Sequence, residues 1–143
     1  MKVLLDTGPL VALLNRRDHS HRWSVARTAH LPRPFYLCEA VLTEAFFLLR
    51  GIPDGMERLT RQLALREWFD FSFSFADHQD RVGELMLKYR NVPMSFADAC
   101  LVRMTEVVKD AHILTLDRDF YIYRKQRNQE LRVISPPVSG GSV

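Results

Sequence analysis

Lys2-Val3-Leu4-Leu5-Asp6-Thr7-Gly8-Pro9 is an apolar run that ends abruptly in a carboxylate. Val3, Leu4 and Leu5 follow one another without polar alternation, the pattern of a strand covered on both faces in a parallel sheet. Asp6-Thr7-Gly8-Pro9 then offers chain-reversing residues, and Leu10, Val11, Leu13 and Leu14 resume at a helical period. A strand, a turn and a helix at the start of a parallel sheet place the turn at the carboxyl ends of the strands, where open α/β folds bind ligands. Asp6 is therefore the first candidate for a functional acid.

Working outward, residues 10–15 and 21–29 read as two short helices, the second stopped by Leu31-Pro32-Arg33-Pro34. Phe35-Tyr36-Leu37-Cys38 is a second buried strand. Residues 39–50 are helical in spacing, and Gly51-Ile52-Pro53-Asp54-Gly55 ends that helix before Met56, Leu59 and Leu63 begin another, giving a helical hairpin. Phe69-Asp70-Phe71-Ser72-Phe73-Ser74-Phe75 alternates aromatic and polar residues throughout, which predicts a half-exposed strand at a sheet edge. Helices are predicted over 76–89 and 95–108, strands over 113–116 and 131–134, and residues 135–143 form a Pro, Gly and Ser tail expected to be flexible. Strands alternate with helices, so the expected architecture is a three-layer α/β/α sandwich around a mainly parallel sheet of about five strands. Residues 1–134 are read as one domain.

The chain has 143 residues, of which 47% are hydrophobic and 26% charged, the balance of one globular domain. No apolar run approaches the ~20 residues of a membrane span. Asp6 interrupts the N-terminal apolar stretch and Arg16-Arg17 soon follow, which is not the layout of a signal peptide. A cytoplasmic location with no membrane association is expected. Cys38 and Cys100 are too few for a disulfide framework and read as small buried hydrophobes. Lys plus Arg exceed Asp plus Glu by 20 to 17, which permits an anionic partner without demanding one.

Two acids sit where local physics disfavours them. Glu44 has Ala40 and Val41 one turn before it and Phe47 and Leu48 one turn after, and Asp98 has Met94 before it and Leu101 and Val102 one turn on. A buried carboxylate without a partner is costly, and a cation compensates it. Local alternatives exist for each. Ser95-Phe96-Ala97-Asp98 fits a capping box, Asp6 is placed to cap the helix that follows it, Asp117 or Asp119 to cap the turn at Phe120, and Glu44 has Arg50 or Arg103 as an alternative ion-pair partner. Their combination argues further, because Asp6 and Asp117 both follow apolar strands and share one edge of the sheet. Four convergent carboxylates suit Mg²⁺ or Mn²⁺, and the absence of a thiolate or clustered histidine set disfavours zinc.

Leu4-Leu5-Asp6-Thr7-Gly8-Pro9-Leu10, Leu42-Thr43-Glu44, Ser95-Phe96-Ala97-Asp98-Ala99 and Leu114-Thr115-Leu116-Asp117-Arg118-Asp119-Phe120 resemble, in sequence and order, the PIN-domain family. The compact length is similar to the VapC-type toxins of toxin–antitoxin pairs. The resemblance spans residues 2 to about 134. It implies a divalent-metal endoribonuclease that leaves a 5′-phosphate and a 3′-hydroxyl, a homodimer, and a cognate antitoxin that blocks the site. By position it implies that Asp6, Glu44, Asp98 and Asp117 are the catalytic and metal-holding acids, with Thr7, Thr115 and Asp119 in support.

For the RNA, Arg118, Arg124, Lys125 and Arg127 offer phosphate contacts, and the interleaved Phe120, Tyr121 and Tyr123 offer base stacking; an ordinary solvated charge run is the plainer reading of the same residues. The helix carrying Phe46, Phe47, Leu48 and Leu49 is apolar nearly all round, so one face suits the sheet and another a dimer partner or antitoxin. Two competing functions keep the fold: a PIN-like RNA-binding or partner-binding module with weak catalysis, and a phosphohydrolase with Asp6 as nucleophile. The latter wants an Asp-x-Asp pair after the first strand, where this chain has Asp6-Thr7-Gly8.

Overall fold

In the computed structural model, which describes residues 1–138, Val3, Leu4 and Leu5 are wholly shielded from solvent because β1 (Lys2–Leu5) is the middle strand of a five-stranded sheet. The chain continues through α1 (Thr7–Leu14), α2 (His21–Thr28), β2 (Phe35–Tyr36), α3 (Glu39–Leu49), α4 (Gly55–Ala64) and β3 (Phe69–Asp70). The second half comprises α5 (Gln79–Lys88), α6 (Phe96–Val107), β4 (Ala111–Leu114), β5 (Arg124–Lys125), β6 (Gln129–Glu130) and β7 (Val133–Ile134). The sheet order is β3-β2-β1-β4-β7, with every pair parallel. β5 and β6 form a separate antiparallel hairpin.

The strand order reverses beside β1, since the chain first builds outward through β2 to β3 and then returns to place β4 on the other side. Right-handed crossovers send the connections of these two halves to opposite faces of the sheet. α1 accordingly packs with α2, α3 and α4, while α5 packs with α6. The α/β/α architecture expected from the sequence is the one observed, and the crevice at the carboxyl ends of β1 and β4 is its topological switch point.

Several local expectations are corrected. Asp6-Thr7-Gly8-Pro9 is not a reversal: α1 begins at Thr7, directly after Asp6, and Pro9 lies in its first turn, where a missing N–H costs nothing. Gly8 is there for closeness, because a Cβ would stand 3.2 Å from the Leu116 side chain. The aromatic stretch forms a strand only over Phe69–Asp70 and then breaks as Asp70 Oδ1 accepts the Ser72 amide at 2.8 Å. A 3₁₀ turn, Phe75–Asp77, and α5 follow. β3 is nevertheless an edge strand, as expected. β4 lies two residues earlier than the sequence suggests. α3 also behaves as expected, burying Val41, Ala45 and Leu49 on one face while the apolar Phe47 and Leu48 remain more than half exposed. Residues 135–138 lie in no helix or strand. Residues 139–143, the rest of the expected tail, lie outside the described residues.

Candidate active site

Register builds the floor of the site. β1 and β4 pair Leu5 with Leu114, so the next residue of each, Asp6 and Thr115, stand side by side at the carboxyl edge. The Asp6 amide donates to the Leu114 carbonyl at 3.0 Å, and the Thr115 hydroxyl donates to Asp6 Oδ2 at 2.6 Å. Asp6 also caps α1, its Oδ1 accepting the Thr7 amide at 2.8 Å. The Thr7 hydroxyl reaches across to α3 and donates to Glu44 Oε1 at 2.7 Å.

Two further acids approach from the other half of the chain. Ser95 and Asp98 form the capping box at the start of α6, with the Asp98 amide on Ser95 Oγ at 3.0 Å and the Ser95 amide on Asp98 Oδ2 at 3.4 Å. The buried Tyr123 hydroxyl donates to the same Oδ2 at 2.9 Å. Asp117 caps the 3₁₀ turn Arg118–Tyr121, its Oδ1 accepting the Asp119 amide at 2.8 Å. Capping is thus real for Asp6, Asp98 and Asp117, yet it does not consume them. Asp98 Oδ1, Asp117 Oδ2 and Glu44 Oε2 accept no hydrogen bond among the described residues.

All four acids line one cleft of about 500 Å³, together with Thr7, Gly8 and Ser95 and the apolar Phe47, Leu48, Pro93 and Leu116. Among the described residues no Lys, Arg or His lines it. The electrostatic consequence is plain at Asp6, whose carboxyl is pushed up to about 7, chiefly by burial and further by the charges of Asp98 and Asp117, against the lowering hydrogen bonds from Thr115 and Thr7. Asp98 is raised by burial, with Asp117 adding to it and Tyr123 and Ser95 opposing. Asp119 is raised by burial and by Asp117.

Glu106 supplies the contrast. Its side chain is wholly buried, but Arg81 and Arg103 neutralise it at 2.7 and 3.1 Å and the Gln126 amide adds a bond at 2.7 Å. That is a structural acid, paired as burial demands. Asp6, Glu44, Asp98 and Asp117 receive only neutral donors, so their negative charge is left uncancelled. Among the described residues no three Asp, Glu, His or Cys side chains stand close enough to hold an ion as they are. The acids line an open cleft, Asp6 and Asp98 buried at its floor and Glu44 and Asp117 half-buried. Hard oxygen donors with free lone pairs and no competing cation are the donor set of Mg²⁺ or Mn²⁺.

Of the remaining sequence candidates, Thr7 and Thr115 are at the site, while Asp119 and the four basic residues do not line the cleft. Arg124 is largely committed to its own loop, Nη1 donating to the carbonyls of Tyr121, Ile122 and Tyr123 at 2.8, 3.1 and 3.1 Å. Arg118 lies over the exposed Tyr121 ring at 5.1 Å. Phe120 and Tyr123 are fully buried and unavailable for base stacking, which corrects the sequence reading. The neutral partner of Asp98 is therefore the residue that sequence reasoning missed. Its spacing from Asp98 carries no local signal, since the contact spans 25 residues.

A family model described as PIN domain matches residues 3–126. The chain belongs to the PIN-domain family. A search of curated proteins finds no significant match. Among solved structures, this PIN domain is similar to Mycobacterium tuberculosis VapC20, described as a sarcin-ricin loop cleaving toxin, with a TM-score of 0.68 at 20% identity over 78% of this chain and 87% of that one. At that identity the likeness speaks to the fold. Among the described residues of the PIN domain, no helix is long and apolar enough to cross a membrane.

Proposed function

We propose that this PIN domain is a metal-dependent endoribonuclease of the VapC toxin type, hydrolysing RNA phosphodiester bonds with Mg²⁺ or Mn²⁺. The observation that carries the reading is the cleft at the switch point, lined by Asp6, Glu44, Asp98 and Asp117 and, among the described residues, by no basic side chain. Such a cleft repels a polyanion unless a cation intervenes. A divalent cation held by these four acids supplies a water of lowered pKa and offsets charge on the phosphate. The protein's own part is orientation: Thr115 fixes Asp6, Thr7 fixes Glu44, and the caps of α1 and α6 hold two of the acids on rigid helix starts. The apolar wall of Phe47, Leu48, Pro93 and Leu116 limits water around the reacting bond. Arg118, Lys125 and Arg127 stand outside the cleft, where they suit flanking phosphates rather than the scissile one.

RNA as substrate fits a cytoplasmic setting. The exposed Phe47 and Leu48 on α3 border the cleft, so a homodimer partner or an antitoxin seated there would reach the site itself. The test is incubation of the purified protein with total RNA and Mg²⁺ or Mn²⁺, with the ends of the products mapped. Cleavage giving 5′-phosphate and 3′-hydroxyl ends, abolished by chelation and in Asp6→Asn and Asp98→Asn, is the expected result. Cleavage that survives chelation, or either substitution, refutes the assignment. RNA retained without cleavage by the wild type would favour the binding-module reading instead.

A further inference from the structure

We propose that Tyr123 is a positioning residue for the metal centre, its hydroxyl holding Asp98 by one carboxylate oxygen so that the other is presented to a divalent cation. The inference deepens the proposed function and rests on it. Tyr123 is fully buried, and a buried tyrosine hydroxyl must find a partner. Most such hydroxyls are satisfied by a backbone carbonyl or water; here the partner is a cleft-lining carboxylate, met at 2.9 Å through Oδ2. The Ser95 amide reaches the same oxygen only at 3.4 Å. Tyr123 is therefore the shorter and firmer of the two restraints, and among the described residues Oδ1 is left without a donor.

The arrangement repeats around the cleft. Asp6 receives the Thr115 hydroxyl, Glu44 the Thr7 hydroxyl and Asp98 the Tyr123 hydroxyl. In each case a neutral donor fixes the carboxylate without cancelling its charge, which is what a ligand needs from its support and what an arginine would spoil. Tyr123 itself is clamped by its ring. Tyr89 and Phe120 meet it edge to face at 5.1 and 5.2 Å, so the hydroxyl cannot drift from Asp98 without unpacking two aromatic contacts.

Tyr89 supplies an internal control. It packs on the same ring and accepts the Arg124 amide at 2.8 Å, anchoring the same segment, but it touches none of the four acids. Phenylalanine at either position preserves the ring packing and removes one hydroxyl. The experiment measures Mn²⁺ binding by loss of the free-ion electron paramagnetic resonance signal, on wild type, Tyr123→Phe, Tyr89→Phe and Asp6→Asn, with melting temperatures recorded alongside. Loss of a support to a metal ligand costs roughly 10- to 100-fold in affinity. Tyr123→Phe is expected to bind Mn²⁺ about tenfold more weakly, with a melting temperature lowered by no more than a few degrees, as in Tyr89→Phe, for the one hydrogen bond each variant loses, with cleavage restored by raising Mn²⁺ and with unaltered KM for RNA. Tyr89→Phe is expected to bind Mn²⁺ as wild type does. Equal affinity in Tyr123→Phe and wild type overturns the inference alone, as does an equal loss in Tyr89→Phe, which would make ring packing the cause. Failure of the wild type to bind Mn²⁺, or binding undiminished in Asp6→Asn, overturns the acid site and the inference together.

Discussion

An acid cluster without a cation should be a liability to the folded state, and Asp6 allows that liability to be measured. Its carboxyl titrates near 7 in the folded, metal-free protein, against 3.8 when exposed. Between those values the folded state binds the extra proton, so stability is present in full below pH 3.8 and is lost as pH rises through 7. The displacement corresponds to a ceiling of about 4 kcal/mol at 1.36 kcal/mol per pH unit. Asp98 is also raised and acts in the same direction. The lowered Glu106 acts oppositely, but its contribution is lost only as pH falls below the normal glutamate range, so the interval from pH 5 to 8 reports the raised acids, Asp6, Asp98 and Asp119, and the comparison with an Asp6 variant isolates Asp6.

Asp6→Asn removes the charge and keeps the shape. The amide can accept from Thr7 or from Thr115 but not from both, and one lost hydrogen bond costs about 1 kcal/mol. The variant is thus expected to outlast wild type at pH 8 by up to about 3 kcal/mol, or several degrees in Tm at the roughly 2–4 °C per kcal/mol usual for domains near this size. At pH 5, only about 1.2 pH units above the exposed value, the advantage shrinks to under about 1 kcal/mol. Excess Mg²⁺ or Mn²⁺ at pH 8 should raise wild type by about 2.7 kcal/mol at a hundredfold excess over Kd and leave Asp6→Asn nearly unmoved. Differential scanning fluorimetry across pH, with and without metal, is sufficient. Parallel pH profiles for the two proteins, or equal stabilisation of both by metal, would refute the reasoning.

Thr115→Val deletes the hydroxyl on Asp6 at nearly constant volume, and metal activation should require on the order of tenfold more Mn²⁺ in a cleavage assay. Glu106→Gln leaves Arg81 and Arg103 without their counter-charge and should cost about 3 kcal/mol in denaturant unfolding, with cleavage per folded molecule unchanged because the group is remote from the cleft. Arg118→Ala should weaken RNA binding and lower the salt slope by about 0.7, one phosphate contact on single-stranded RNA. Arg124→Ala should instead lower Tm, since its guanidinium holds three carbonyls of its own loop.

Where the sequence could be read, the physics was local or strongly periodic. β1 was legible because a strand buried on both faces has only one pattern, and α3 to α6 because capping and helical spacing lie within a few residues. The stretch 69–75 alternates as a strand should, but its neighbour β2 pairs with it only at Phe35 and Tyr36, so there is no ladder to extend. Its aromatics go separate ways: Phe73 stacks on His78 at 4.9 Å and Phe75 meets Phe96 edge-on at 5.1 Å. The β5–β6 hairpin escaped notice because its turn places Arg127 and Asn128 at positive φ, where glycine would have announced it.

The acids were legible individually, but each had two readings: cap or ligand for Asp6, Asp98 and Asp117, and ion pair or ligand for Glu44; the caps are present, and a cap by one oxygen does not exclude a ligand role for the other. A carboxylate has two oxygens, and in Asp98 and Asp117 one accepts from the backbone, in Asp98 also from Tyr123, while the second accepts from no donor among the described residues. What separates these acids from a structural one is the charge of the partner. Glu106 is met by two guanidinium groups that cancel its charge; Asp6, Glu44 and Asp98 are met by neutral hydroxyls that do not. Those partners lie 109, 37 and 25 residues away from their acids, distances over which no spacing rule operates. Thr115 and Thr7 could be named beforehand only because each adjoins an acid in a recognisable motif. Tyr123 adjoins none, and only the folded chain, by burying its ring between Tyr89 and Phe120, brings its hydroxyl to Asp98.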